Sequence, residues 1–425
     1  MKTTSKTNVL IIGSGGREHA LGWKIRKSKH VENVYFAPGN GGTSVNIDID
    51  GDEFRNLKLF AKEKSCLTIV GPERPLARGI VDHFFESGAN IFGPTKAASK
   101  LEASKSYAKK FMNNNGIRTA ESCSFSNADT AKDYVVRQTK KLVVKADGLA
   151  SGKGVFVCDS TEEALSAVDK IMTQKKFGSA GNRIIVEERL EGEEISFIGL
   201  SDGKKVIPLA SSRDHKRLFD NDKGPNTGGM GCYSPAYIID DHLHEEIMQQ
   251  IMTRTVEGMR HIGTPFVGFL YAGLIIEKNT GKPYVLEYNV RMGDPECQAI
   301  IMRMKSDFFE YVDAAIDERL ESMPDIQWDD QYSVCIIMCE NGYPGNYQTG
   351  HSIRGLHSAL ANNVVIFHSG TRRDSKNNIF TNGGRVLGVT SLGKQLGDAI
   401  RNAYSTVDKI SWGNGSQYYR KDIGR

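Results

Sequence analysis

The chain has 425 residues, which at a prior of about 150 residues per domain means two to four domains with a sizeable core. Its 55 Lys and Arg stand against 51 Asp and Glu, a net charge of +4 with no basic block, so the footprint of a nucleic-acid binder is excluded and small molecules are the expected partners. Seven cysteines without Cys-x-x-Cys spacing, and no apolar run of membrane-spanning length, point to reduced thiols in a soluble cytoplasmic protein with no membrane partner.

The chain opens with an apolar run, Val9-Leu10-Ile11-Ile12, that reads as a buried strand. Gly13-Ser14-Gly15-Gly16 then turns it into a helix near 17–27. A dinucleotide fingerprint would need a third glycine at position 18, where Glu18 stands, so a nicotinamide-dependent oxidoreductase rests on an incomplete motif. Further strands at 34–37, 67–71 and 90–92 alternate with helices near 54–63 and 79–86, the signature of a doubly wound parallel sheet. A helix at 104–114 ends at Gly116 and leads into longer strands at 141–145, 183–188 and 194–200, where mixed α+β structure is expected. Segments 266–277 and 283–290 are joined by 278–282 as a hairpin. From about 331, strands at 333–339, 364–368 and 385–390 form a small separate lobe. The fold class is therefore α/β and α+β multidomain: 1–104, 105–325 and 326–425.

Three stretches carry chemistry. In KLVVKADGLASGKGVFV (141–157), Gly148 precedes Gly152-Lys153 by three residues and Gly154 follows, so it is not a Walker loop. Set between two strands, these glycines can offer backbone N–H groups to a phosphate chain, with Lys145 at the strand end as its cation. A flexible hairpin with Lys145 reaching solvent is the alternative, and both readings stand. In PYVLEYNVRMGDPE (283–296), alternation puts Glu287, Asn289 and Arg291 on one strand face, neighbours about 6.8 Å apart. Hard oxygen donors beside a guanidinium suit Mg²⁺ and a carboxylate or acyl phosphate; an exposed polar strand face is the alternative, and Asp294-Pro295-Glu296 also reads as a helix start with Asp294 as N-cap. In 213–235, Asp214, His215 and Lys216 precede Asn226-Thr227-Gly228-Gly229 in a glycine-rich loop that either wraps a small ligand or is a structural omega loop. His19 and His215 are not assigned as bases.

Together, GSGGREHAL, TIVGPE, IFGPT, VKADGLASGKGV, IVEERLEGEEISF, GPNTGGMGCYSPA, RMGDPE, NGYPG, TNGGRVLGVT and RKDIG resemble the ATP-grasp superfamily. Within it they closely resemble the glycinamide ribonucleotide synthetase family of phosphoribosylamine–glycine ligases, over nearly the whole chain and in order. Met292 stands where that family usually has Phe or Leu, and Arg74 replaces a small or acidic residue.

The resemblance implies an N-terminal substrate-binding domain, a central ATP-grasp domain with a mobile part near 120–195, and a C-terminal lobe. It implies a ligase of de novo purine biosynthesis that uses ATP, with Mg²⁺ or Mn²⁺, to join glycine to 5-phosphoribosylamine, as a monomer or dimer. Lys105 and Lys145 would hold phosphates, covered by Gly148, Ser151, Gly152, Lys153 and Gly154. Glu187, Glu188 and Leu190 would form the edge that reads adenine, with Glu194 near the ribose. Glu287 and Asn289 would bind metal, Glu277 being a weak candidate for a further ligand, and Arg291 and Asp214 would serve catalysis. Gly15, Gly16, Arg17 and Glu18 would hold the sugar phosphate at a helix N-terminus, and Asn226, Thr227, Gly228, Gly229 and Gly293 would contact substrate. The rivals are the oxidoreductase, a sister ribonucleotide carboxylase using bicarbonate, and an inactive ATP-binding module.

Overall fold

The computed structural model describes residues 6–150, 153–357 and 363–425. The opening apolar run lies inside the strand Thr7–Gly13, which has parallel neighbours on both sides. Val9 and Ile11 pack into one core, Leu10 and Ile12 into another, so the strand is buried on both faces. The sheet order is Val31–Pro38, Thr7–Gly13, Cys66–Val70, Ile91–Phe92, all parallel, as the strand–helix alternation predicts. The helix expected near 79–86 is Ile80–Phe85, and a further short helix, Glu73–Arg78, precedes it. Gly79, at φ +90, closes Glu73–Arg78 by donating its N–H to the Leu76 carbonyl, a left-handed cap that only glycine adopts freely.

The helix Lys105–Asn114 starts where the Ser104 hydroxyl accepts from Tyr107 N–H at 3.3 Å. Beyond it stand two four-stranded antiparallel sheets. One runs Ser122–Phe125, Ile184–Glu188, Leu142–Ala146, Val155–Val157, so the strands at either end of the 141–157 stretch pair antiparallel, with Gly148 and Gly154 between them. The other runs Val206–Pro208, Gly192–Asp202, Val267–Glu277, Pro283–Asn289, the last two joined by the expected hairpin with Gly281 at φ +65.

The C-terminal lobe is not separate in its sheet. Its strands Tyr332–Glu340, Arg385–Gly393 and Val364–His368 continue through Gly231–Ser234 to Arg213–Asp214. Segment 213–235 is therefore no omega loop. It holds four short strands, including the hairpin Arg217–Phe219 with Lys223–Asn226, each too short for period-2 alternation to register in the sequence. That shared sheet brings the C-terminal lobe against the central domain. Among the described residues no helix is long and apolar enough to cross a membrane, and all seven cysteines are free, six of them buried.

Candidate active site

A cavity of about 690 Å³ lies where the three parts meet. One wall is the strand Pro283–Asn289, and it brings Glu287, Asn289 and, just beyond, Arg291 into the cavity together. Leu286 joins them. Opposite the partner strand, Glu287 pairs with Gly273 and Val285 with Leu274, so Leu286 is the extra residue of a β-bulge that turns it to the same side. Burial works to raise the Glu287 carboxyl, but Lys216, Lys105 and Lys145 overcome this and hold it below the usual carboxylate range. Lys216 Nζ stands 3.6 Å from Glu194 and 3.9 Å from Glu287; burial would lower its pKa, and these carboxylates with Asp214 raise it instead. Glu277 does not line the cavity; its carboxylate accepts from Asn279 and Thr280 in the hairpin.

Lys145 does not reach solvent. It is 5 % exposed, donates to the Leu286 carbonyl at 3.1 Å, and forms an ion pair with Glu187. Glu187 also holds Lys109 at 2.6 Å, so one buried carboxylate is shared by two ammonium groups. Asp147 fixes the neighbouring Lys105: its carboxylate accepts from Ser106 N–H at 2.6 Å and its carbonyl from Lys105 N–H at 3.0 Å. Lys105 Nζ then reaches the Gly148 carbonyl at 3.3 Å. Leu149, Ala150 and Gly154 face the cavity, and Lys153 Nζ crosses to the Pro344 carbonyl at 3.2 Å. Ser151 and Gly152 lie outside the described residues.

The expected adenine edge comprises Glu187, Glu188 and Leu190. Glu187 is committed to its two lysines, Glu188 pairs with Lys140 at 2.6 Å, and neither they nor Leu190 line the cavity. The apolar wall there consists of Ala108, Met112, Val155, Val157, Ile185 and Leu286. Glu194 does line the cavity.

The first glycine turn also differs from expectation. Gly15 N–H donates to Glu18 Oε2 at 2.6 Å and Arg17 N–H faces Asp294 Oδ2 at 3.4 Å, so carboxylates of the protein occupy the helix start. A Cβ on Gly16 would lie 2.5 Å from Gln298 Nε2 and 2.6 Å from Ser369 Oγ, so a side chain there would displace one of them. Of these four residues only Arg17 reaches the cavity, paired with Glu18 at 2.7 Å and donating to the Met292 carbonyl at 2.9 Å. Arg291 donates to that same carbonyl at 3.3 Å. Two guanidiniums thus stand side by side, with Met292 buried beneath them.

Asp214 stands in the cavity with one oxygen buried and without a hydrogen-bond partner. Burial first, then neighbouring Glu296, push its carboxyl well above the usual range. Glu296, itself buried, accepts from Tyr271 OH at 2.7 Å and Ser196 Oγ at 3.0 Å. Asn226, Thr227, Gly228 and Gly293 line the cavity; Gly229, at φ +108, lies behind, against Asp214 and Pro295. In the helix Glu296–Arg303 the N-cap position is Pro295, which makes no side-chain cap, and the Asp294 carboxylate is drawn to Gln298, Arg17 and Arg385. Burial lowers the pKa of His215, a cavity residue, to about 4.

Several site residues escaped the sequence reading. Lys109 is one helical turn after Lys105, a spacing that could have revealed it. Arg385 reaches in from the C-terminal lobe to the carbonyls of Gly228, Gly229 and Asp294, and Tyr343 OH accepts from Gly228 N–H at 3.1 Å. Glu73 and Glu102, which hold Arg291, lie about 190 to 220 residues away in sequence and left no local signal.

This three-part cavity agrees with what the chain matches. Family models described as phosphoribosylglycinamide synthetase match residues 7–102 (N domain), 103–297 (ATP-grasp domain) and 333–425 (C domain). The chain belongs to the phosphoribosylglycinamide synthetase family. It is 48 % identical over 423 residues to a phosphoribosylamine–glycine ligase of Vibrio vulnificus, covering 98 % of this chain and 97 % of that protein. To the phosphoribosylamine–glycine ligase of Escherichia coli it is 47 % identical over 422 residues, with 98 % and 97 % covered. A crystal structure of the Thermotoga maritima phosphoribosylamine–glycine ligase matches with TM-score 0.85 at 33 % identity, covering 98 % of this chain and 100 % of that one. The biotin carboxylase domain of a Hydrogenobacter thermophilus 2-oxoglutarate carboxylase shares the fold alone, with TM-score 0.72 at 16 % identity and 96 % and 90 % covered.

Proposed function

We propose that this chain is the ATP-dependent ligase that joins glycine to 5-phosphoribosylamine, giving glycinamide ribonucleotide, ADP and phosphate. The observation that carries the reading is one cavity holding Lys105, Lys145 and Lys216 around Glu287 and Asn289, with Arg291 beside them, in a chain of this family. ATP lies with its base against Val155, Val157, Ile185 and Leu286 and its phosphates toward Lys105 and Lys145, beside Gly148 and Gly154. A carboxylate held ionised and an amide oxygen two residues on, facing one cavity, fit a hard divalent cation. Glu287 and Asn289 would hold Mg²⁺ or Mn²⁺, which when bound draws charge from the transferring phosphoryl group.

Glycine's carboxylate oxygen attacks the γ-phosphorus and the bond to ADP breaks, leaving glycyl phosphate. The sugar amine then attacks the acyl carbon, loses a proton, and phosphate departs. Arg291 offsets the charge of the acyl phosphate, and closing of the glycine loop would keep water from it. 5-Phosphoribosylamine takes the end of the cavity near Arg17, Asn226, Thr227 and Gly228, with Arg17 and Arg385 supplying positive charge. Asp214 faces the reacting groups. The turn at Gly15 and Gly16 shapes this end without cradling the phosphate itself.

The reading includes domain divisions near 104 and 325, a cytoplasmic enzyme of purine biosynthesis, small-molecule partners, and a monomer or dimer. ADP release from the purified chain tests it. The expected result is release that requires glycine and 5-phosphoribosylamine together. Release sustained by bicarbonate in place of glycine, or none with any combination, would overturn the assignment.

A further inference from the structure

Arg291 has five N–H donors, and the structure accounts for three: Nε donates to Glu73 at 3.2 Å, Nη2 to Glu102 at 2.8 Å, and Nη1 to the Met292 carbonyl at 3.3 Å. One donor remains on each terminal nitrogen, available to a carboxylate or phosphate. Glu102 does more than pair. Its second oxygen accepts from Val290 N–H at 2.7 Å, so one carboxylate fixes both the guanidinium of Arg291 and the backbone that delivers it. Glu102 is largely buried at the cavity wall, so removing its carboxylate leaves both donors short of a partner. It comes from the short helix Lys100–Ala103, and Glu73 from the start of Glu73–Arg78, both earlier in the chain than the strand Pro283–Asn289 that leads to Arg291.

We infer that Glu102, supported by Glu73, is a positioning residue that aims Arg291 at the anionic group of the substrate. On this inference Glu102 acts through Arg291, whose guanidinium meets the substrate's anion. The inference rests on the ligase reading for the identity of that anion, though not for its charge. It also gives a reason for the sequence order: the segment ahead of the ATP-binding lysines sets the geometry of a residue about 190 positions later.

A double-mutant cycle tests it. In the wild-type background Glu102→Ala lowers kcat/KM for glycine by about tenfold or more while KM for ATP stays unchanged. In an Arg291→Ala background the same change costs less than about twofold, because the residue it acts through is gone. Glu102→Gln, which keeps one acceptor and replaces the other by a donor, falls between and guards against an unfolded alanine variant. The cycle is read a second time in the melting-temperature rise that inorganic phosphate gives each protein. A wild-type chain that ignores glycine yet gains from phosphate would sink the ligase reading and leave this cycle legible. Equal losses in the two backgrounds, or no loss in the wild type, would overturn the inference.

Discussion

Replacing Glu187 by Gln is the sharpest probe of how the ATP end of the cavity is built. Glu187 is 2 % exposed and holds Lys109 at 2.6 Å together with Lys145, so the amide removes the shared anion of two buried cations. Burial alone would raise its pKa, but Lys145 and Lys109 hold it below the usual value, so the carboxylate stabilises the fold when ionised. Breaking a buried pair from one side costs about 3–5 kcal/mol, and here deprotonation of a lysine can relieve part of it, so a loss of about 3 kcal/mol is expected. At about 2–4 °C per kcal/mol, the melting temperature falls by roughly 6–12 °C. Because the folded pKa lies below the unfolded one, this contribution is present above about pH 4.3 and is lost as pH falls through the folded value, so the deficit of the variant shrinks in acid. Phosphates restore an anion beside Lys145, so ATP raises the melting temperature of Glu187→Gln by more than that of the wild type. Scanning fluorimetry with and without ATP, at pH 7.5 and pH 4, measures all of this. A variant that melts within about 2 °C of the wild type and gains no more from ATP refutes the reasoning.

Glu287→Gln keeps the fold and removes turnover at ordinary Mg²⁺, since the amide loses the charge that draws the cation; retained kcat discards the ligand assignment. Asp214→Asn leaves the melting temperature unchanged or raised, because burial and Glu296 already disfavour its ionised form, yet kcat drops by about a hundredfold; a stability loss with intact kcat reverses that view. Gly16→Ala drives a methyl against Gln298 and Ser369 and costs about 1–3 kcal/mol, part of which Gln298→Ala in the same chain restores; absence of that relief refutes the packing argument. Burial lowers the pKa of His19 to about 4 and of His368 to about 3, and the His368 N–H donates to His19 Nδ1 at 2.9 Å. The unfolded chain therefore binds more protons below about pH 6.5, and stability falls as pH drops from there toward 4; His19→Asn flattens the melting curve over that window.

The sequence by itself determined the parts whose signal is local. Val9 to Ile12 could only be a buried strand, the 141–157 and 278–282 hairpins followed from glycines between apolar runs, and period-2 alternation put Glu287, Asn289 and Arg291 on one face. Resemblance of ordered motifs supplied the family, which the comparisons bear out. Tertiary structure decided the rest, because charge compensation inside a low-dielectric core depends on which groups meet in space. Sequence could not show that Glu187 would be consumed by Lys145 and Lys109, or that Glu18 and Asp294 would take the amides of the first helix. Nor could it show that a sheet running from Arg213–Asp214 to Val364–His368 would carry Arg385 to the carbonyls of Gly228 and Asp294. A carboxylate's role is fixed by its nearest cation, and when that cation is some 190 residues away, as Arg291 is from Glu102, only the folded chain names it.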